Sequence, residues 1–153
     1  MVENGVGSVG KDGIHASYST PGANLLVSAP GGDTEGVSNH HITAITNSGC
    51  GSPGIGTSFA CPVVSGVVAL ILEANPDLTW RDVQGIFVTT SQPVLNNGDS
   101  RDDTSGVVNG AGLWHSNLYG FGIVDAAAAV SAAESWELYG SEVMLTSLLR
   151  RTV

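Results

Sequence analysis

The sequence predicts an α/β domain, and three observations carry that expectation. Asn24–Ala29 (NLLVSA) is a short apolar run closed by Pro30-Gly31-Gly32, the pattern of a buried strand. Val64, Val67, Val68, Ile71 and Leu72 fall at i, i+3, i+4, i+7 and i+8, the spacing of a helix face. Two later segments open on residues that cap helices, Thr79 and Asp125.

The elements follow in order. Gly5 to Gly10 holds Val6 and Val9 between glycines and reads as a strand; Lys11-Asp12-Gly13 is a turn signal. After the Asn24–Ala29 strand comes a polar loop from Asp33 to His40, then a weakly alternating strand at Ile42–Thr46. Asn47 to Gly56 is rich in Gly, Ser and Pro and reads as a loop. In the helix that follows, Val63, Ala69 and Leu70 fill much of the face opposite Val64 and Ile71, so a buried helix is expected. Pro62 is assigned to its first turn, and Asn75-Pro76 stops it. Thr79 is the next N-cap with Asp82 at the third helical position, and that helix runs to about Thr90. Asp125 caps an alanine-rich helix to about Trp136.

Composition bounds the function. The 153 residues suffice for one domain, and 42% hydrophobic against 12% charged residues is not a disordered composition. The net charge of -9, with no basic stripe, excludes a nucleic-acid binder. The opening MVENGVGSVG lacks the basic and apolar regions of a signal peptide. Phe59–Leu72 is interrupted by Cys, Pro, Ser and Gly, so it suits a packed helix and no transmembrane segment is expected in this chain. Cys50 and Cys61 fit neither a disulfide framework nor a zinc spacing and read as free thiols. In the polar loop Asn96–Asp103, Arg101 sits where a calcium ligand would be needed, no glycine follows it and no closing glutamate appears.

The chemistry concentrates in Gly54–Pro62, GIGTSFACP. Ser58 stands where a loop meets a helix. A first helical turn has unpaired N–H groups and partial positive charge, and donors aimed at an oxyanion are worth about 2.7–4 kcal/mol each. A serine placed there can attack a carbonyl while its own N–H steadies the oxygen. It can equally be an ordinary cap, and the local pattern alone leaves both readings open.

Gly56-Thr57-Ser58, three residues and then Pro62 resemble the nucleophile motif of the subtilisin-like serine proteases. Leu72-Glu73-Ala74-Asn75-Pro76 with Leu78-Thr79-Trp80-Arg81-Asp82-Val83-Gln84 resembles the kexin and furin branch, as does Tyr119-Gly120-Phe121-Gly122 before Val124-Asp125-Ala126. Upstream, Ala16-Ser17-Tyr18-Ser19 and Ser28-Ala29-Pro30-Gly31 resemble the region before the nucleophile. The resemblance implies part of a three-layer α/β fold, with a mainly parallel sheet and a buried nucleophile helix. It implies a serine endopeptidase acting on protein or peptide substrates, with Ser58 as nucleophile and basic cleavage sites as in kexin. It places residues 1–137 in the C-terminal portion of the catalytic domain and 138–153 in a short tail. A secretory or extracellular setting and calcium follow from the family, although no cofactor or metal ligand is assignable here.

In that family the order is Asp, His, Ser, with the first two far upstream, and an upstream asparagine side chain is an oxyanion donor. Only 57 residues precede Ser58. The four histidines, His15, His40, His41 and His115, are therefore expected to be loop or turn residues rather than its base. Cys50 stands where kexin relatives often have a paired cysteine, but the usual partner's region reads Gly22-Ala23-Asn24. The chain is thus expected to be truncated and inactive alone. The alternative is a non-catalytic interaction module on a protease scaffold. Loss of upstream elements predicts exposed apolar surface on the Asn24–Ala29 strand and the Val63–Leu72 helix, and hence association.

Overall fold

A computed structural model describes residues 5–34, 40–95 and 106–140 of the chain. Its elements, in chain order, are β1 (Gly5–Val9), β2 (Leu25–Pro30), β3 (Ile42–Thr46), β4 (Gly49–Gly54), α1 (Thr57–Ala74), α2 (Trp80–Thr90), β5 (Val107–Val108), β6 (Trp114–His115) and α3 (Ala126–Glu134).

The centre is parallel. β1 pairs with β2 in parallel, Val6 opposite Val27 and Val9 opposite Pro30. The segment around Ile123 extends this sheet: the Phe121 N–H donates to the Leu26 carbonyl at 2.8 Å, and the Val124 N–H to the Ser28 carbonyl at 2.9 Å. Gln92 then pairs antiparallel with Ile123. The pairs β3–β4 and β5–β6 are antiparallel and lie apart from that sheet.

The helices bury their stripes together. Ala60, Val64, Val67 and Ile71 of α1 are buried, with Val27 and Ala29 of β2, Ile86 and Phe87 of α2, and Ala129 and Ala133 of α3 in the same core. Burying a side chain of the Val or Ile class contributes about 1.5–3 kcal/mol. A second core gathers Val9, Val94, Trp114 and Tyr119.

Four expectations need correction. Residues 49–54, read as a loop, form β4, because Thr46 closes a two-residue turn in which its hydroxyl bonds the Gly49 carbonyl at 2.8 Å, and Gly49 takes φ 108°. Helix α1 begins at Thr57, so Pro62 lies in its interior, not in its first turn. The helix is buried along one stripe, not all round: Val63, Leu70 and Leu72 are exposed, Leu70 to 54%, which agrees with the exposed apolar surface expected on Val63–Leu72. Strand β2, expected to be exposed, is covered by the helices, with Val27 and Ala29 at 0% exposure. By length and composition α1 could cross a membrane, but its buried stripe packs on β1, β2 and α3 as a core helix does. The Asn96–Asp103 loop lies outside the described residues.

Candidate active site

Ser58 is the second residue of α1 and is exposed. Its surroundings follow from the local sequence. Gly56 occupies the N-cap position at φ 148°, ψ 158°, a region that side-chain-bearing residues avoid. No side chain caps the helix, and its first turn holds no acidic residue. The Gly56 carbonyl accepts from the Phe59 N–H at 2.9 Å and from the Ala60 N–H at 3.4 Å. Thr57 and Ser58 are therefore not caps but the first two helical residues, which removes the ordinary-cap reading. Pro62 has no N–H to offer the carbonyl four residues back, so the Ser58 carbonyl loses its usual helical partner.

Ser58 lines an open cavity of about 460 Å³ with Val6, Thr57, Cys61 and Pro62. A neighbouring cavity of about 290 Å³ shares Val6 and Thr57 and runs along Tyr18–Pro21 and Asn24. A larger cavity among the described residues, about 700 Å³, is bordered by Trp80, Arg81, Phe121 and Tyr139 and has no lining residue in common with that of Ser58. The serine of the GTS motif therefore borders the smaller opening, not the larger one.

No hydrogen bond links Ser58 to a histidine among the described residues. The His15 N–H donates to the Tyr119 hydroxyl at 2.9 Å. His40 pairs its backbone with Asp33, and its Nε2 lies 3.0 Å from Lys11 Nζ. His41 is exposed. His115, on β6, has Nε2 3.3 Å from the Leu25 carbonyl and stacks edge-on with Phe121. Cys50 and Cys61 are exposed free thiols. The described residues hold no cluster of His, Cys, Asp and Glu able to ligate a metal.

The other two helices start differently. The Thr79 side chain accepts from the Asp82 N–H, and Asp82 returns the bond to the Thr79 N–H at 2.8 Å and to the Thr79 hydroxyl, a complete capping box. Asp82 also accepts the Tyr139 N–H at 2.7 Å and the Trp136 indole N–H at 3.2 Å. Burial would raise its pKa, but the Thr79 hydroxyl, the Tyr139 and Thr79 N–H groups and the Trp136 indole outweigh it and bring it to about 2. Asp125 accepts the Ala128 N–H at 2.9 Å and the Gln92 amide at 3.0 Å, and these bonds lower its pKa, the Ala128 bond most.

Sequence reasoning missed the polar groups behind the Ser58 loop. Buried Asp33 accepts from the Ser17 hydroxyl at 2.8 Å and the Thr34 N–H at 2.7 Å. The Tyr18 hydroxyl lies 2.7 Å from Ser8 Oγ and donates toward the Gly31 and Gly32 carbonyls at 2.9 and 2.7 Å. The hydroxyl-rich stretch Ser17-Tyr18-Ser19 was the available signal, although nothing in its spacing names its partners.

Comparison with known proteins bears on the same residues. The profile of the subtilase family, Peptidase S8, matches residues 5–122. A PC3-like endoprotease, variant B, of Hydra vulgaris is 38% identical over 134 residues, covering 86% of this chain and 18% of the relative. Proprotein convertase subtilisin/kexin type 6 of Rattus norvegicus is 45% identical over 104 residues, 67% of this chain and 10% of the relative. The chain thus spans under a fifth of the length of these relatives. Among solved structures, a protease of Pseudoalteromonas arctica is 36% identical with a TM-score of 0.60, covering 84% of this chain and 35% of that one. The serine protease of Aeromonas sobria, at 24% identity, matches in fold with a TM-score of 0.71 over 89% of this chain and 30% of its own.

Proposed function

The chain belongs to the subtilase family, and on that premise we propose that Ser58 is the nucleophile of a serine endopeptidase of the kexin and furin type. One observation carries the reading: Ser58 is exposed in an open cavity, on the first turn of a helix whose N-terminus no side chain closes. Attack by Oγ on a substrate carbonyl forms a tetrahedral oxyanion, and the free amides of that turn supply donors and positive potential to it. The attack requires a base to take the hydroxyl proton and an acid to orient the base. No described histidine is bonded to Ser58, so the base comes from outside the described residues. The isolated chain is therefore expected to hydrolyse peptides slowly or not at all.

The substrate is a protein or peptide. Selection of basic side chains, as in kexin, needs acidic groups beyond the five residues of the Ser58 cavity, none of which is charged. A secretory or extracellular setting suits proteins of this type. The family unit is taken as residues 1–137 and the tail as 138–153, of which Tyr139 is tied back to Asp82.

The test is peptide cleavage by the natural gene product that carries this chain, with and without Ser58→Ala. Loss of cleavage in the variant, together with fluorophosphonate labelling of Ser58 in the parent, is the expected result. Cleavage that survives the substitution refutes the assignment. The missing histidine contact also favours a second reading, a non-catalytic interaction module. Rapid fluorophosphonate labelling of the isolated chain at Ser58 would exclude that module.

A further inference from the structure

We propose that Tyr18 is a positioning residue for Ser58, acting through the Gly31 carbonyl; this rests on the reading of Ser58 as nucleophile. The Gly31 and Gly32 carbonyls can only accept, so the single Tyr18 O–H is shared between them as a three-centre bond, at 2.9 Å to Gly31 and 2.7 Å to Gly32. The 2.7 Å contact with Ser8 is then a bond donated by the serine hydroxyl to the phenol oxygen. Ser8 is itself fixed: it is fully buried in β1, and its N–H donates to Ser19 Oγ at 3.0 Å.

The Gly31 carbonyl is where this relay reaches the site. It accepts Tyr18 at 2.9 Å and also the Gly56 N–H at 2.9 Å, and Gly56 is the N-cap of α1, two residues before Ser58. The Gly31 N–H is tied to the Val9 carbonyl at 3.0 Å. The fit tolerates no side chain at residue 31, where a Cβ would meet Ser8 Oγ at 2.0 Å and the Gly56 carbonyl at 2.7 Å. Because no side chain caps α1, the Gly31–Gly56 bond is the tether that sets where its first turn begins. Tyr18 fixes the direction of that carbonyl and thereby the position of the serine oxygen.

The experiment uses Tyr18→Phe, which keeps the ring and removes the hydroxyl. Amide hydrogen exchange is read at Gly56 and, as a core reference, at Ser28, whose N–H donates to the Gly122 carbonyl. Gly56 is expected to exchange about tenfold faster with Ser28 unchanged, a local opening. In the natural gene product kcat is expected to fall about ten- to a hundredfold with KM within about twofold, the pattern of a misplaced reacting group. Ser8→Ala, which leaves the phenol O–H shared between the two carbonyls, gives a smaller change in the same direction and serves if Tyr18→Phe does not fold.

Unchanged Gly56 exchange overturns the proposal. So does equal acceleration at Gly56 and Ser28, which marks a merely structural role, or faster Gly56 exchange with kcat intact. If Ser58→Ala keeps its activity, the nucleophile assignment fails instead, and the exchange data alone decide whether Tyr18 holds the start of α1.

Discussion

Helices α1 and α2 lie consecutively in the chain and share one core, yet their first turns are built on opposite principles. The start of α2 is sealed. Thr79 and Asp82 exchange bonds, and Asp82 spends its other oxygen on Tyr139 and Trp136. The start of α1 has a glycine for a cap, no acid in its first turn and a proline where an N–H would have reached the Ser58 carbonyl. Satisfied ends stabilise a helix; unsatisfied ends leave donors and potential for something that is not part of the helix. In α2 the sequence is used for stability. In α1 the Phe59 and Ala60 amides bond the Gly56 carbonyl, and the amides of Thr57 and Ser58 stand at an open cavity with no side chain to cap them, the arrangement that the proposed acyl transfer would use.

The widest separation of the two ends comes from Ser58→Ala. It should reduce peptide cleavage by the natural gene product about a thousandfold or more while the urea midpoint stays put, because the side chain is exposed and caps nothing. Asp82→Ala should do the reverse. Losing a cap and stranding buried donors is expected to cost about 2–4 kcal/mol, read from urea denaturation of the chain. A stability loss below about 0.5 kcal/mol there would deny that α2 is sealed by this carboxylate.

Acid should reveal the same difference. The folded pKa of Asp82, about 2, lies below its ordinary value of 3.8. Its contribution is therefore complete above about pH 4 and is lost as the pH falls toward 2. Asp125, lowered in the same direction, adds to that loss. Asp82→Asn should flatten the fall in urea midpoint between pH 4 and 2, and a fall as steep as in the parent would place its origin elsewhere.

The smallest effect comes from Thr57→Asp, which puts an acid into the first turn of α1. It should stabilise the helix by about 0.3–1 kcal/mol and at the same time slow acylation of Ser58, since a fixed negative charge opposes the oxyanion. An increase in both stability and rate would break the contrast between the two ends.

The parts of the molecule legible in the sequence were those whose causes are local. The capping pairs Thr79–Asp82 and Asp125–Ala128 act over three residues, and the stripe Val64, Val67, Ile71 repeats within one helix. The start of α1 was misplaced because an interior proline resembles a first-turn proline until the backbone before it is seen. β4 was missed because its composition disfavours strands and only pairing with β3 makes one. The relay from Ser8 through Tyr18 to Gly31 joins residues ten and thirteen positions apart, and the carbonyl it reaches holds a residue a further twenty-five along. No periodicity records such contacts. The motif pointed to Ser58 as a candidate, and it gave no sign of the contacts behind its loop.

Asp82 has one more consequence, an optical one. Its carboxylate accepts the Trp136 indole N–H, so protonating it changes the polarity felt by that fluorophore. Trp80 is exposed and Trp114 buried, so an external quencher darkens the first and spares the second. Trp114 remains as a background with no bond to this carboxylate, so a shift in emission wavelength on acid titration under quencher should come from Trp136, an intrinsic signal that follows the clasp between α2 and the segment after α3 without any added label.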